Sequence, residues 1–250
     1  LILINFFPSL KINLLHILVI VTYFMVKSFL IIIICQVFIY AGEQIVLVVG
    51  DNHNSKKAKL TCFEDGVKVF DSFEVNIGEN GLGWGVEKKG LIQSRKEPLK
   101  YEGDKKAPIG IFTLDAIFGY EKDLKFKIPY LHATKDLICV DDSDSEFYNQ
   151  IIQEPKAKPK SYEEMRRDDA QYELGVVVGY NKKQVKDRGS CIFLHVEKSK
   201  DAPTAGCTSM TLENIEKIVS WLDKDKNPIL IQITKSQLNQ VLKLYPNIRF

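Results

Sequence analysis

The chain of 250 residues carries 34 Lys and Arg against 32 Asp and Glu, so its formal charge is only +2 and both signs are interspersed. That balance lacks the basic stripe of a nucleic-acid-binding protein and sets that class aside. A hydrophobic fraction of 45% is ordinary and sufficient for a real core, in one large domain or two small ones.

The first forty residues differ from the rest. Residues 1–24 are apolar and begin with Leu. Met25 then opens MVKSFLIIIICQVFIYAGEQ, where a Lys precedes an apolar run from Phe29 to Tyr40 and the small residues Ala41 and Gly42. Basic, apolar, small is the layout of a secretory signal peptide. The run is also shorter than the ~20 apolar residues of a spanning helix. The expectation is translation from Met25, with 1–24 an upstream extension and 25–42 a signal peptide cleaved near Gly42. Residues 43–250 would then form one exported domain in the periplasm or cell envelope. The alternative is an uncleaved leader that anchors the protein in the membrane. Cys35 does not suit a lipoprotein, because no small residues precede it and the run stays apolar after it.

Export bears on the remaining cysteines, Cys62, Cys139, Cys191 and Cys207, which form no CxxC pair. An oxidising compartment permits disulfides. Cys139 and Cys191 both fall in expected strands and are the pair expected to bond, which requires Cα atoms within about 7 Å.

In chain order, IVLVVGD (45–51) reads as a buried strand. Asp65-Gly66 lies between two strand-forming runs and signals a hairpin, since both residues tolerate the positive φ of a tight turn. GENGLGWG (78–85) is too rich in Gly for a regular element, and no Gly-Lys-Ser/Thr ending makes it a phosphate loop. EGDKKAPIGIFTL (102–114) is a loop feeding a strand, and DLICVDD is another strand. DDSDSE lacks the Gly and Glu of a calcium loop and reads as a solvated helix start. SYEEMRRDD (161–169) is expected to form a short helix. YELGVVVGYN and GSCIFLHV are two more strands. TLENIEKIVSWLD places Leu212, Ile215, Ile218, Val219 and Leu222 on one helical face, with Thr211 as its N-cap. PILIQI closes the sheet and SQLNQVLKLY forms a terminal helix. The sum is a mainly β domain with a few covering helices.

The stretch FLHVEKSKDAPTAGCTSM (193–210) carries the chemistry. Cys207 lies between Gly206 and Thr208, a few residues before the helix, where backbone N–H groups favour a thiolate and can cradle an oxyanion. His195, near a strand end, can point toward that loop and serve as the base. A zinc reading would add Cys191, four residues from His195 on the same strand face, to make Cys191, His195 and Cys207 a three-ligand site. A buried core cysteine is the third reading.

HVEKSKDAPTAGCTSM resembles the active-site signature of the L,D-transpeptidase catalytic domain family: a His, a variable loop, then Ser/Thr-x-Gly-Cys. His195, Thr204, Gly206 and Cys207 match it in order. NGLGWG, EGDKKAPIGIF, CVDD, FYN, MRRDD and GVVVGYN extend the resemblance from about residue 45 to about residue 233. It implies a β-sandwich or barrel-like fold acting on peptidoglycan stem peptides, without metal or organic cofactor. Cys207 would be the nucleophile and His195 its base, and the backbone at Gly206 and Cys207 the oxyanion hole. An amine acceptor makes a cross-linking transpeptidase, and water makes an L,D-carboxypeptidase. Ala205 stands where many members have a second His, and Ser209 where many have an Arg. Thr204 and Ser209 remain beside the nucleophile as substrate-binding residues. The cation for a donor carboxylate must come from elsewhere, and Arg166 and Arg167 are the candidates, with Asp168 and Asp169 to orient them. Two other classes stay open. One is a wall-binding module without turnover. The other is a cysteine peptidase or amidase of unrelated fold, which would need a downstream His or Asn partner, and no His follows His195.

Overall fold

The computed structural model describes residues 22–23, 42–154 and 159–250. The expected extension and signal peptide lie outside the described residues, apart from Thr22, Tyr23 and Gly42. The chain divides into two units, Leu1–Ala41 and Gly42–Phe250, and the second carries everything below. Among the described residues no helix is long and apolar enough to cross a membrane.

The apolar run after Glu43 forms β1 (Gln44–Gly50), buried along nearly its whole length, as suits a strand covered on both faces. Next come β2 (Lys57–Glu64) and β3 (Val67–Lys68), joined at Asp65 and Gly66. Their φ values of 52° and 82° are the two positive values of a type I′ turn, so the hairpin forms as its sequence predicts. β4 (Phe73–Asn76) returns along β2. β5 (Leu82–Trp84) corrects the reading of the glycine-rich stretch as mere loop. The stretch pairs in parallel with the start of β6 (Ala107–Gly119), and Leu82 and Trp84 are fully buried. After β7 (Tyr130–His132) comes β8 (Leu137–Val140), the strand expected in DLICVDD.

Two further expectations fail between β8 and the next long strand. DDSDSE forms turns, in which the Asp142 carboxylate accepts from the Asp144 and Lys160 N–H groups, and no helix starts there. SYEEMRRDD is not helical either. Its first half is β10 (Tyr162–Glu164), which with β9 (Ile151–Gln153) flanks β8 in a separate three-stranded sheet. The backbone hydrogen bonds of this segment go to β8, and Met165 is buried beneath it.

β11 (Leu174–Val178), β12 (Phe193–Val196) and β13 (Thr208–Met210) follow. The first helix, α1 (Leu212–Trp221), is capped by the Thr211 hydroxyl, which accepts from the Asn214 N–H. It buries Ile215, Ile218 and Val219, and Leu222 follows them inside, while Leu212 stays exposed. β14 (Ile229–Thr234) is buried throughout, and α2 (Leu238–Leu244) ends the fold after a short 3-10 turn. The strands run β1-β14-β6-β11-β12-β13-β4-β2, and β2 pairs back onto β1, so the sheet closes on itself as a barrel. Closure leaves no edge along that ring. A contiguous apolar core links its strands and α1, and a second, smaller cluster lies where Phe118, Cys139, Met165, Tyr172, Phe193 and Cys207 meet.

Candidate active site

Sheet register assembles the site. Across β6, β11, β12, β13 and β4, the partners Phe118, Gly175, His195, Ser209 and Asn76 form one row. Cross-strand partners share a face, so these side chains lie together. The neighbouring row holds Val177 and Phe193, and extending the β12–β13 register by one residue adds Cys207. Leu194, Val196 and Met210, on the opposite face, belong to the main core. Gly175 is required here, because a Cβ on it would come within 2.3 Å of the Phe118 ring. Cys207 does not lie at a helix N-terminus as expected, since β13 intervenes before α1.

The Cys207 side chain is nearly enclosed, with 7% of the residue exposed. Its sulfur accepts from the Phe193 N–H at 3.3 Å, and its thiol donates to the Cys191 carbonyl at 3.4 Å. Burial, reinforced by the Glu163 carboxylate, pushes the thiol up to about 12, against the opposing pull of the Phe193 N–H, Lys100 and Arg167. His195 is 4% exposed, and burial pushes it down to about 4. Its Nδ1 lies 2.8 Å from the Val196 carbonyl. A carbonyl only accepts, so Nδ1 carries the proton and Nε2 the basic lone pair. At neutral pH both groups are uncharged and the proton rests on sulfur. Among the described residues no hydrogen bond joins the two side chains.

The loop between them is braced. The Thr204 hydroxyl donates to the Cys207 carbonyl at 2.6 Å and accepts from the Gly206 N–H at 3.1 Å. The Thr204 backbone pairs with Gly78. Gly206 has φ 144°, a conformation that L side chains rarely adopt, and a Cβ there would meet the Lys106 carbonyl oxygen at 3.0 Å. Beside it lies Lys100, only 2% exposed, whose ammonium donates to Asp104 at 2.6 Å and to the Tyr101 carbonyl at 2.8 Å. On the other side the Tyr172 ring meets the His195 ring edge-on at 5.2 Å, and its hydroxyl donates to Glu163. Burial pushes Glu163 up to about 7, and the Tyr172 hydrogen bond opposes that shift. Lys100, Glu163 and Tyr172 were not singled out from the sequence. Glu163 lies inside SYEEMRRDD, the stretch expected to be a short helix, and nothing local marks it as a partner of Tyr172.

The L,D-transpeptidase catalytic domain model (YkuD) matches residues 45–231. The chain belongs to that family. No curated protein and no solved structure matches it. Domains of this family act on peptidoglycan stem peptides.

Within this L,D-transpeptidase domain, the residues expected around Cys207 separate. Ser209 is buried beside His195 in the same row. Arg166 donates to the carbonyls of Tyr120 and Ala133 at 3.0 and 3.2 Å and stacks on the Tyr120 ring, which makes it a strut between segments. Arg167 lies over the Tyr172 ring and grips Asp169 through Nε and Nη2 at 2.9 and 2.6 Å. It is partly exposed and acts electrostatically on both His195 and Cys207. The zinc reading fails. Cys191 is bonded to Cys139, Cα atoms 6.0 Å apart, and has no thiolate to offer. Cys191 also precedes β12, with φ 53°, and so does not share the strand geometry assumed for it. The disulfide expected between these two cysteines is present.

Proposed function

We propose that the protein is an exported cysteine acyltransferase that acts on peptidoglycan stem peptides through a Cys207 thioester and forms L,D cross-links. What supports this reading is one juxtaposition in a chain of this family. A neutral thiol and a neutral imidazole, with its lone pair on Nε2, occupy adjacent rows of one sheet face. Attack by Cys207 on the carbonyl of an L-centre passes the thiol proton to His195. The oxyanion falls to the backbone N–H groups of Gly206 and Cys207, the first of which the Thr204 hydroxyl must release. Collapse expels the amine of the D-residue, which takes the proton from His195 and leaves the thioester. A second stem amine then loses a proton to His195 as it attacks, and the new amide forms as Cys207 regains its proton.

Incubation with purified muropeptides and mass spectrometry of the products tests the reading. Cross-linked dimers support it, and tripeptides trimmed by water replace it with an L,D-carboxypeptidase. An unchanged mixture removes both. Action on the wall requires export, so N-terminal sequencing of the protein from its native host is expected to find a start near Gly42. Finding residues 1–24 intact would overturn that part.

A further inference from the structure

The contacts of the Cys207 sulfur both lie in one short segment, the Phe193 N–H and the Cys191 carbonyl. That segment is held from outside. Cys191 has φ 53°, a left-handed conformation that a non-glycine residue keeps only under surrounding restraint. The later part of the segment is tied to β11, where the Val178 N–H donates to the Ile192 carbonyl at 3.0 Å and Phe193 pairs with Val177, and two restraints act on Cys191 itself. The Cys191 N–H donates to the Asn149 side-chain oxygen at 2.9 Å, while the Asn149 amide is fixed on the carbonyls of Tyr180 and Asn181 at 2.7 and 3.0 Å. The second restraint is covalent: the bond to Cys139 in β8. β8 pairs with β10 in a register that sets Cys139 opposite Glu163, so the strand that pins the thiol cradle also seats the carboxylate on Tyr172. Both bonded cysteines border a cavity of about 370 Å³ that Gln150, Val177, Lys182 and Gln184 also line, although the two residues themselves are only 2% and 3% exposed.

We propose that the Cys139–Cys191 disulfide is a positioning device for Cys207, so that its redox state sets the reactivity of the nucleophile. An external dithiol would reduce it, passing two electrons and two protons to Cys139 and Cys191 and being oxidised to its own disulfide. Freed of the bond, Cys191 relaxes from its left-handed conformation. The Cys191 carbonyl that accepts from the thiol then moves while the Phe193 N–H stays with β12, and solvent reaches a thiol that is now enclosed. Exposure and orientation respond in opposite directions. Alkylation of Cys207 becomes faster, and acyl transfer becomes slower.

The test compares wild type with the Cys139→Ser/Cys191→Ser variant below the melting temperature of both. Iodoacetamide labelling of Cys207, mapped by mass spectrometry, is followed as a function of pH alongside kcat and KM on muropeptides. The expected result is a labelling midpoint lower by roughly one pH unit, as burial is relieved. A kcat lower by about tenfold, with KM little changed, should accompany it. A disulfide that only stabilises the fold would lower the melting temperature and leave both readouts alone. In the folded variant, an unchanged labelling profile or an unchanged kcat overturns the proposal. If the double variant does not fold, wild type reduced with an external dithiol below its melting temperature loses the same bond without a substitution. It is expected to shift both readouts in the same directions, and no shift in either overturns the proposal. The turnover arm rests on the proposed reaction, whereas the labelling arm does not. A protein inert on muropeptides therefore defeats the function and still leaves the positioning role decided by labelling.

Discussion

Cys62 in β2 and Cys207 at the head of β13 are the free thiols among the described residues, and each is pushed up to about 12. Around Cys62 burial acts alone. Its strand partner in β1 is Val46, and both belong to the main core. Around Cys207 the same burial is joined by an acid, two cations, a backbone N–H and a histidine in the adjacent row. Burial therefore sets the resting protonation of both thiols, and the neighbours decide which one can do chemistry. A perturbed thiol is a functional candidate only where a partner can take its proton.

The largest expected effect breaks this comparison outright. Cys207→Ala should abolish acyl-enzyme formation, and a carbapenem, which acylates the nucleophile of related enzymes, should add mass to wild type at Cys207. Cys62→Ala should keep the adduct and the turnover and cost about 1 kcal/mol of stability, as for a small core truncation. Peptide mapping after carbapenem treatment and urea melts measure the two halves. An adduct on Cys62 would invert the assignment.

His195 comes next. Its removal should cost ~10²–10⁴-fold in turnover, the usual worth of a positioned general base. The wild-type pH profile carries a sharper signature. A base pushed down to about 4 stays neutral well below the ordinary histidine range, so kcat/KM should hold level from neutral pH down to about 5 and fall as pH drops through 4. A fall centred near 6.5 would mean that His195 is solvated during turnover, contrary to its enclosure.

Arg167 and Arg166 sharpen the electrostatic side. Arg167→Ala should slow turnover of a tetrapeptide by a factor equivalent to ~1.5–3 kcal/mol, if the guanidinium leaves Asp169 to hold the donor carboxylate. Arg166→Ala should lower stability instead, because its Nη1 donates to two backbone carbonyls. Kinetics on the tetrapeptide and its C-terminal amide decide the matter. Equal handling of both substrates by wild type removes the carboxylate clamp.

The sequence carried the barrel side of this comparison well. Type I′ turn chemistry at Asp65-Gly66, the unbroken apolar runs of β1 and β14 and the α1 periodicity are local signals, and each formed as expected. The order of His195 and Cys207 matches the family signature, and the sheet register sets the two side chains in adjacent rows of one face. The face that carries the candidate site was legible only in part, because in the three-stranded sheet beside it β8 is apolar and was foreseen, whereas β9 and β10 are three residues each and β10 is polar. Tyr162–Glu164 has no apolar alternation, and its strand character comes from pairing with β8, a non-local contact. Lys100 reads as one more surface lysine until the fold closes around it. Glu163 and Tyr172 lie nine residues apart, and only the hydrogen bond between them joins their roles.

The smallest effect concerns Glu163, the acid that distinguishes the surroundings of Cys207 from those of Cys62. Its carboxyl is pushed from an ordinary 4.5 up to about 7, chiefly by burial. A group raised in the folded state contributes stability fully present below its unfolded pKa and lost as pH rises through the folded one. Ionisation of Glu163 should therefore weaken the fold between about pH 4.5 and 7. Glu163→Gln keeps an acceptor for the Tyr172 hydroxyl and cannot ionise. The variant should match wild type near pH 4.5 and exceed it at pH 8 by about 1–2 kcal/mol, discounted from the full shift because the side chain is partly open to solvent. His195 has the opposite trend: its depressed pKa costs stability as pH falls from about 6.5 toward 4. That loss is common to both proteins and largely cancels in their difference. Losing the negative charge should also ease ionisation of Cys207 and speed its labelling, while Cys62, beyond the reach of this acid, should not change. Urea melts at the two pH values provide the measurement. An equal difference at both would show that Glu163 titrates as an ordinary carboxylate, already charged at neutral pH beside Cys207 and free of the penalty that burial imposes.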